Sequence, residues 1–115
     1  MESLDLALKI AEIIDSKKVE DIKILKLSEL TDSFEYFVIA TCLNSRQMDA
    51  TIDEVENILR DNYNERPYLI EGQKEGNWAL VDFGPVVLHL FQEETRSFYR
   101  LEHLWSEAQS IDPAL

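Results

Sequence analysis

Cysteine is nearly absent from this chain: Cys42 stands alone, so no disulfide can close within it and no thiolate cage can hold a metal. A single thiol is expected to serve as small apolar filling in a reducing compartment. There are only two histidines, His89 and His103, too few for a ligand set of converging imidazoles, and both are expected to be structural. With three glycines the chain has no Gly-rich phosphate loop. Basic residues are also scarce, 11 against 23 acidic ones, and the resulting net charge of −12 opposes any role that rests on phosphate contacts. Direct readout of nucleic acid is therefore not expected, whereas a basic protein partner suits the field. No apolar run reaches membrane-spanning length. The opening MESLDLALKIAEIIDSKK has neither the basic start of a signal peptide nor the Arg-rich character of a transit peptide, which leads us to expect a cytoplasmic protein without a membrane role.

What is present is an ordinary apolar fraction, 45% of 115 residues, enough for one domain with one core. Leu4, Leu8, Ala11 and Ile14 recur at helical spacing behind Ser3 as N-cap, predicting a first helix that ends near Lys17 and Lys18. The segment VEDIKILKL reads as a strand, with Leu25 breaking the alternation and allowing a bulge or a second covered face. Tyr36 to Ala40 is apolar on both sides, as a central strand would be. Asn44 and Gln47 have the form of a capping box, opening a helix whose buried stripe is Met48, Ile52, Val55 and Leu59. Tyr68 to Ile70, Trp78 to Phe83 and Val86 to Phe91 predict three more strands, the last two joined by Gly84-Pro85. Thr95 to Ala108 reads as one helix, with Phe98, Leu101 and Trp105 on its core side. The expected fold is α/β of the α+β-like kind: a mixed sheet of about five strands with helices packed on it. The expected domain runs over 1–108, with 109–115 a frayed tail.

Catalytic constellations are thin. Asp32, Glu35 and Asp82 lie beside or within strands and could hold magnesium for nucleotidyl transfer, but the sequence gives no sign that they converge. Tyr99 and Leu104, by contrast, lie off the core stripe of the last helix, and Trp78 and Phe83 add rings at the ends of the preceding hairpin. Aromatics rimmed by acids have the composition of a protein-binding patch. An exposed strand edge would also allow a homodimer, so an acidic dimeric adaptor is a further alternative.

Three groups of residues together resemble the ribosomal silencing factor (Iojap, RsfS) family: Tyr36-Phe37-Val38-Ile39-Ala40 with Ser45-Arg46-Gln47; Trp78-Ala79-Leu80-Val81-Asp82-Phe83-Gly84 with Val86-Val87 and His89; and Arg96-Ser97-Phe98-Tyr99 with Leu101-Glu102-His103-Leu104-Trp105. The resemblance covers Ile10 to Glu107. It implies a nucleotidyltransferase-like fold without that activity, and without a cofactor or metal. It also implies a translation repressor that binds ribosomal protein fourteen of the large subunit and sterically blocks joining of the small one. The residues that the resemblance and the patch nominate for partner binding are Trp78, Asp82, Phe83, Tyr99, Leu101, Glu102, Leu104 and Trp105. Glu35, Cys42, Asn44 and Pro85 depart from the family pattern, three of them where the central strand meets the following helix.

Overall fold

A computed structural model describes all residues 1–115. The first helix, α1 (Ser3–Ser16), leads into the antiparallel pair β1 (Glu20–Lys26) and β2 (Tyr36–Cys42). Helix α2 (Ser45–Tyr63) then carries the chain to β3 (Leu69–Glu71), β4 (Trp78–Asp82) and β5 (Val86–Gln92). Two short helices follow, α3 (Glu93–Tyr99) and the single turn α4 (Leu101–Leu104), and the chain ends in β6 (Gln109–Ile111). The six strands form one mixed sheet in the order β3-β4-β5-β2-β1-β6, one strand more than expected. Only the central pair β2 and β5 is parallel. Because β3 is antiparallel to β4 and β4 to β5, β3 runs in the direction of β2. The α2 crossover therefore joins two like-directed strands with two others between them.

Both faces of β2 are buried, as its unbroken apolar run predicted. One face, with Tyr36, Val38, Ala40 and Cys42 from β2 and Val86, Leu88 and Leu90 from β5, packs under α1 and α2 in a cluster of 22 buried residues. Each aliphatic side chain enclosed there contributes about 1.5–3 kcal/mol, so this layer holds the fold together. The opposite face carries a smaller cluster of six buried hydrophobic side chains, among them Phe37, Ile39 and Phe91. Its remaining cover, from Phe34, Leu101, Trp105 and Ala108, is partial.

Helix α2 forms as read: Asn44 Oδ1 accepts from Gln47 N–H at 2.8 Å, and Met48, Ile52, Val55 and Leu59 are buried with Thr51. Gln47 reaches back to Leu43 N–H at 2.7 Å, one residue before the position that a capping box usually serves. Helix α1 buries Ala11 and Ile14 as predicted, but its first turns are rotated from the predicted phase. Leu6, Ile10 and Ile13 are buried, while Leu4 is exposed and Leu8 only partly covered. Ser3 does not cap; its hydroxyl donates to Glu35 Oε2 at 2.7 Å. The β1 bulge falls between Glu20 and Lys23, where Asp21 takes φ +51°, while Leu25 turns to the second covered face.

The C-terminal region differs most from expectation. Arg100 adopts a left-handed conformation (φ 51°) and divides the predicted helix into α3 and α4. Arg96 explains the break: its guanidinium donates to both carboxylate oxygens of Glu102, at 2.7 and 3.3 Å, and residues six apart do not share a face of a continuous helix. The residues expected to fray instead supply β6, which pairs antiparallel with β1 through Ile111, Ser110 and Gln109.

Candidate docking face

Strand register fixes which side chains share the sparsely covered face. Glu71, Leu80, His89 and Ile39 form one cross-sheet row, and Leu69, Asp82, Val87 and Phe37 the next. Trp78 lies opposite Phe91 and stacks on it, with centroids 4.8 Å apart at 25°. Its indole N–H donates to His89 Nδ1 at 3.1 Å, so the ring is held on one side by stacking and at its polar end by a hydrogen bond.

His89 is buried, and burial lowers its pKa from 6.5 to about 4. It is neutral near pH 7, which suits Nδ1 as an acceptor. Its Nε2 has no hydrogen-bond partner, so the expected structural histidine is satisfied on one nitrogen only. Phe37 packs against the ring at 4.5 Å and 62°. With Phe34, Leu69, Leu80, Val87, Glu71 and Asp82 these residues line a slot of about 230 Å³. His103, also expected to be structural, is exposed.

Of the nominated partner-binding residues, Trp78, Leu101, Glu102 and Trp105 are half-buried on this side, while Tyr99 (56%) and Leu104 (73%) are exposed. Trp105 meets Phe37 edge-on at 6.1 Å, and Tyr99 lies 4.9 Å from Trp78. Phe83 is not among them. It is 4% exposed in the cluster beneath α1 and α2, on the other side of the sheet, because it continues the alternation of Ala79 and Val81. Asp82 lies on the sparsely covered face, but its Oδ1 accepts from Gly84 N–H at 2.7 Å and shapes the turn. Glu102 is tied up by Arg96, whose hydrogen bond holds its carboxyl below the usual range. The sequence reading also assigned Phe98 to the core; it is 78% exposed, since the break at Arg100 rotates α3 away from the stripe that a single helix would have kept. No sequence signal marks that break, which sits on a non-glycine residue.

The carboxylates nominated for nucleotidyl transfer are dispersed. Asp32 sits in an exposed loop, Glu35 takes the Ser3 hydroxyl and Asp82 serves its turn. No three His, Cys, Asp or Glu side chains converge to hold a metal. Three of the four departures from the family pattern have structural work for their side chains, Glu35 by accepting from the Ser3 hydroxyl. Asn44 caps α2, Cys42 is buried with its thiol pushed up to about 11, and the Pro85 carbonyl accepts from the N–H groups of Glu35 and Tyr36 at the start of β2.

The family model described as ribosomal silencing factor during starvation matches residues 1–115. The chain belongs to the ribosomal silencing factor family. It is 36% identical over 102 residues to ribosomal silencing factor RsfS of Bacillus subtilis, covering 89% of this chain and 86% of that one. It is 34% identical to the chloroplastic protein Iojap of Arabidopsis thaliana, covering 96% of this chain but 46% of the relative. Mouse mitochondrial assembly of ribosomal large subunit protein 1 is 30% identical and likewise matched over 47% of its length. The chain thus spans about half of the organellar relatives and most of the bacterial one. A crystal structure of a Chromobacterium violaceum protein superposes with a TM-score of 0.87 at 31% identity, covering 100% of this chain and 94% of that one. Membership is consistent with ribosome-associated regulation of translation, and the family is not known as one of enzymes. No helix here is long and apolar enough to cross a membrane.

Proposed function

We propose that this chain represses translation in the cytoplasm by docking its sparsely covered face on the large ribosomal subunit, at ribosomal protein fourteen, and obstructing the small subunit. The observation that carries the reading is the set of exposed apolar side chains on α3 and α4, Phe98, Tyr99 and Leu104, of which Tyr99 lies against both Phe98 and the half-buried Trp78. Rings of this kind anchor protein interfaces, and the acidic field speeds encounter with a basic ribosomal protein. The name of the mouse relative, which refers to assembly of the large subunit, points the same way. The action is steric, so no bond is made or broken.

Sedimentation of ribosomes with added protein tests this. Co-migration with free large subunits and loss of assembled ribosomes are expected, and failure to bind large subunits at physiological salt would contradict it. The unpaired outer edges of β3 and β6 leave a homodimer as the other association open to the chain. Sedimentation equilibrium of the free protein reads that directly.

A further inference from the structure

Between the β3–β4 loop and α3 lies a cleft of about 530 Å³ whose aromatic walls are Trp78, Phe98 and Tyr99. The Tyr99 ring lies 4.9 Å from Trp78 at 46°, and Phe98 meets Tyr99 almost at right angles, 81° at 5.1 Å. Three ring systems thus bound one space at differing inclinations. Two carboxylates, Glu75 and Glu94, also line it, together with Gly72, Asn77 and Thr95. No lysine or arginine of the chain is among the lining residues.

The cleft is built rather than incidental. Trp78 is fixed by its stacking on Phe91 and its hydrogen bond to His89, so its ring is positioned before any ligand arrives. Gly72 takes φ +79°, and a Cβ there would stand 1.9 Å from the Trp78 carbonyl oxygen, so only glycine lets the loop press this closely on β4. Phe98 is far more exposed than a ring of its size is in a core, and no packing need of the fold accounts for it.

We infer that the cleft formed by Trp78, Phe98 and Tyr99 with Glu75 and Glu94 is a cation-accepting aromatic cage. Its occupant is the ammonium head of a lysine side chain from a basic protein partner, with or without N-methyl groups. Aromatic faces attract a cation through their quadrupoles, and the two carboxylates add the charge that an apolar slot would lack. The net charge of −12 supplies the long-range part of the same complementarity. The inference rests on the docking reading only for the origin of the lysine.

The test is calorimetric titration of the whole chain with three capped pentapeptides that differ at one position: lysine, Nε-trimethyl-lysine, and a neutral tert-butyl isostere of the latter. We expect the charged peptides to bind and the isostere to bind roughly tenfold more weakly. Phe98→Leu, which keeps apolar area at an exposed site, should weaken trimethyl-lysine binding to a similar degree, and Glu75→Gln with Glu94→Gln should reduce its salt dependence. Equal affinity for the cation and its isostere, indifference to Phe98→Leu, or no binding by either charged peptide would overturn the proposal. No ribosome is present in this experiment. Such a failure would therefore leave large-subunit docking to its own sedimentation test, and cage binding without subunit association would refute only the docking.

Discussion

The two faces of the sheet are made from alternate residues of the same strands, yet they differ in almost every respect. Beneath α1 and α2 the packing is aliphatic, continuous and closed, from Ile10 and Ile14 through Val38 and Ala40 to Leu88 and Leu90. The other face is aromatic and half open: Phe37, His89, Phe91 and Trp78 form a ring-on-ring array, covered by α4 and the residues after it without enclosing Tyr99 or Leu104. Beside this array Tyr99 and Leu104 stand exposed to water, and the buried imidazole keeps one nitrogen without a partner. The closed face carries stability, and the open one is the face we propose meets a partner.

The largest effect that separates them is in stability. Leu90→Ala or Ile52→Ala, both at fully buried positions on the closed side, should cost about 2–5 kcal/mol in denaturant unfolding. An equal loss from Tyr99→Ala would remove the distinction.

The imidazole gives a second contrast, set by pH. Above about 6.5, His89 is neutral in the folded and unfolded chain alike. As pH falls, only the unfolded chain takes up the proton until about pH 4, so stability declines across that window by an amount on the order of 3 kcal/mol. His89→Leu should flatten this part of the stability profile relative to the native chain, as followed by unfolding at a series of pH values. An unchanged slope would show that the ring is not held neutral by its surroundings.

Much of this contrast was readable in the chain itself, and the parts that were not share a cause. The central strand declared itself through an unbroken apolar run, and α2 through its cap and stripe, because both signals are local and repeated. The break at Arg100 depends on a tertiary ion pair, Arg96 with Glu102, joined by hydrogen bonds from Arg96 to Thr41 Oγ1 and the Asp21 carbonyl. Nothing local encodes it, so Phe98 read as core. Strand β6 is three residues long, with polar Gln109 and Ser110, and becomes a strand only because the β1 edge lies beside it. Tyr99 and Leu104 were identifiable as lying off the core stripe, whereas Phe83 was misplaced by one step of strand alternation.

The smallest effect on stability should come with the largest effect on association. Tyr99→Ala and Leu104→Ala, at exposed positions, should shift unfolding by no more than about 0.5 kcal/mol. Each should weaken association with large subunits roughly tenfold if these residues anchor the interface.

The most direct test uses the inertness of Cys42, which is buried with a raised pKa and so leaves the chain without a reactive thiol. Leu104→Cys places one on the open side, and Asp53→Cys places one on the solvated flank of α2; maleimide labelling is then followed with and without large ribosomal subunits. Protection of position 104 with undiminished labelling at 53 is the predicted result, and protection of 53 with free labelling at 104 would contradict it.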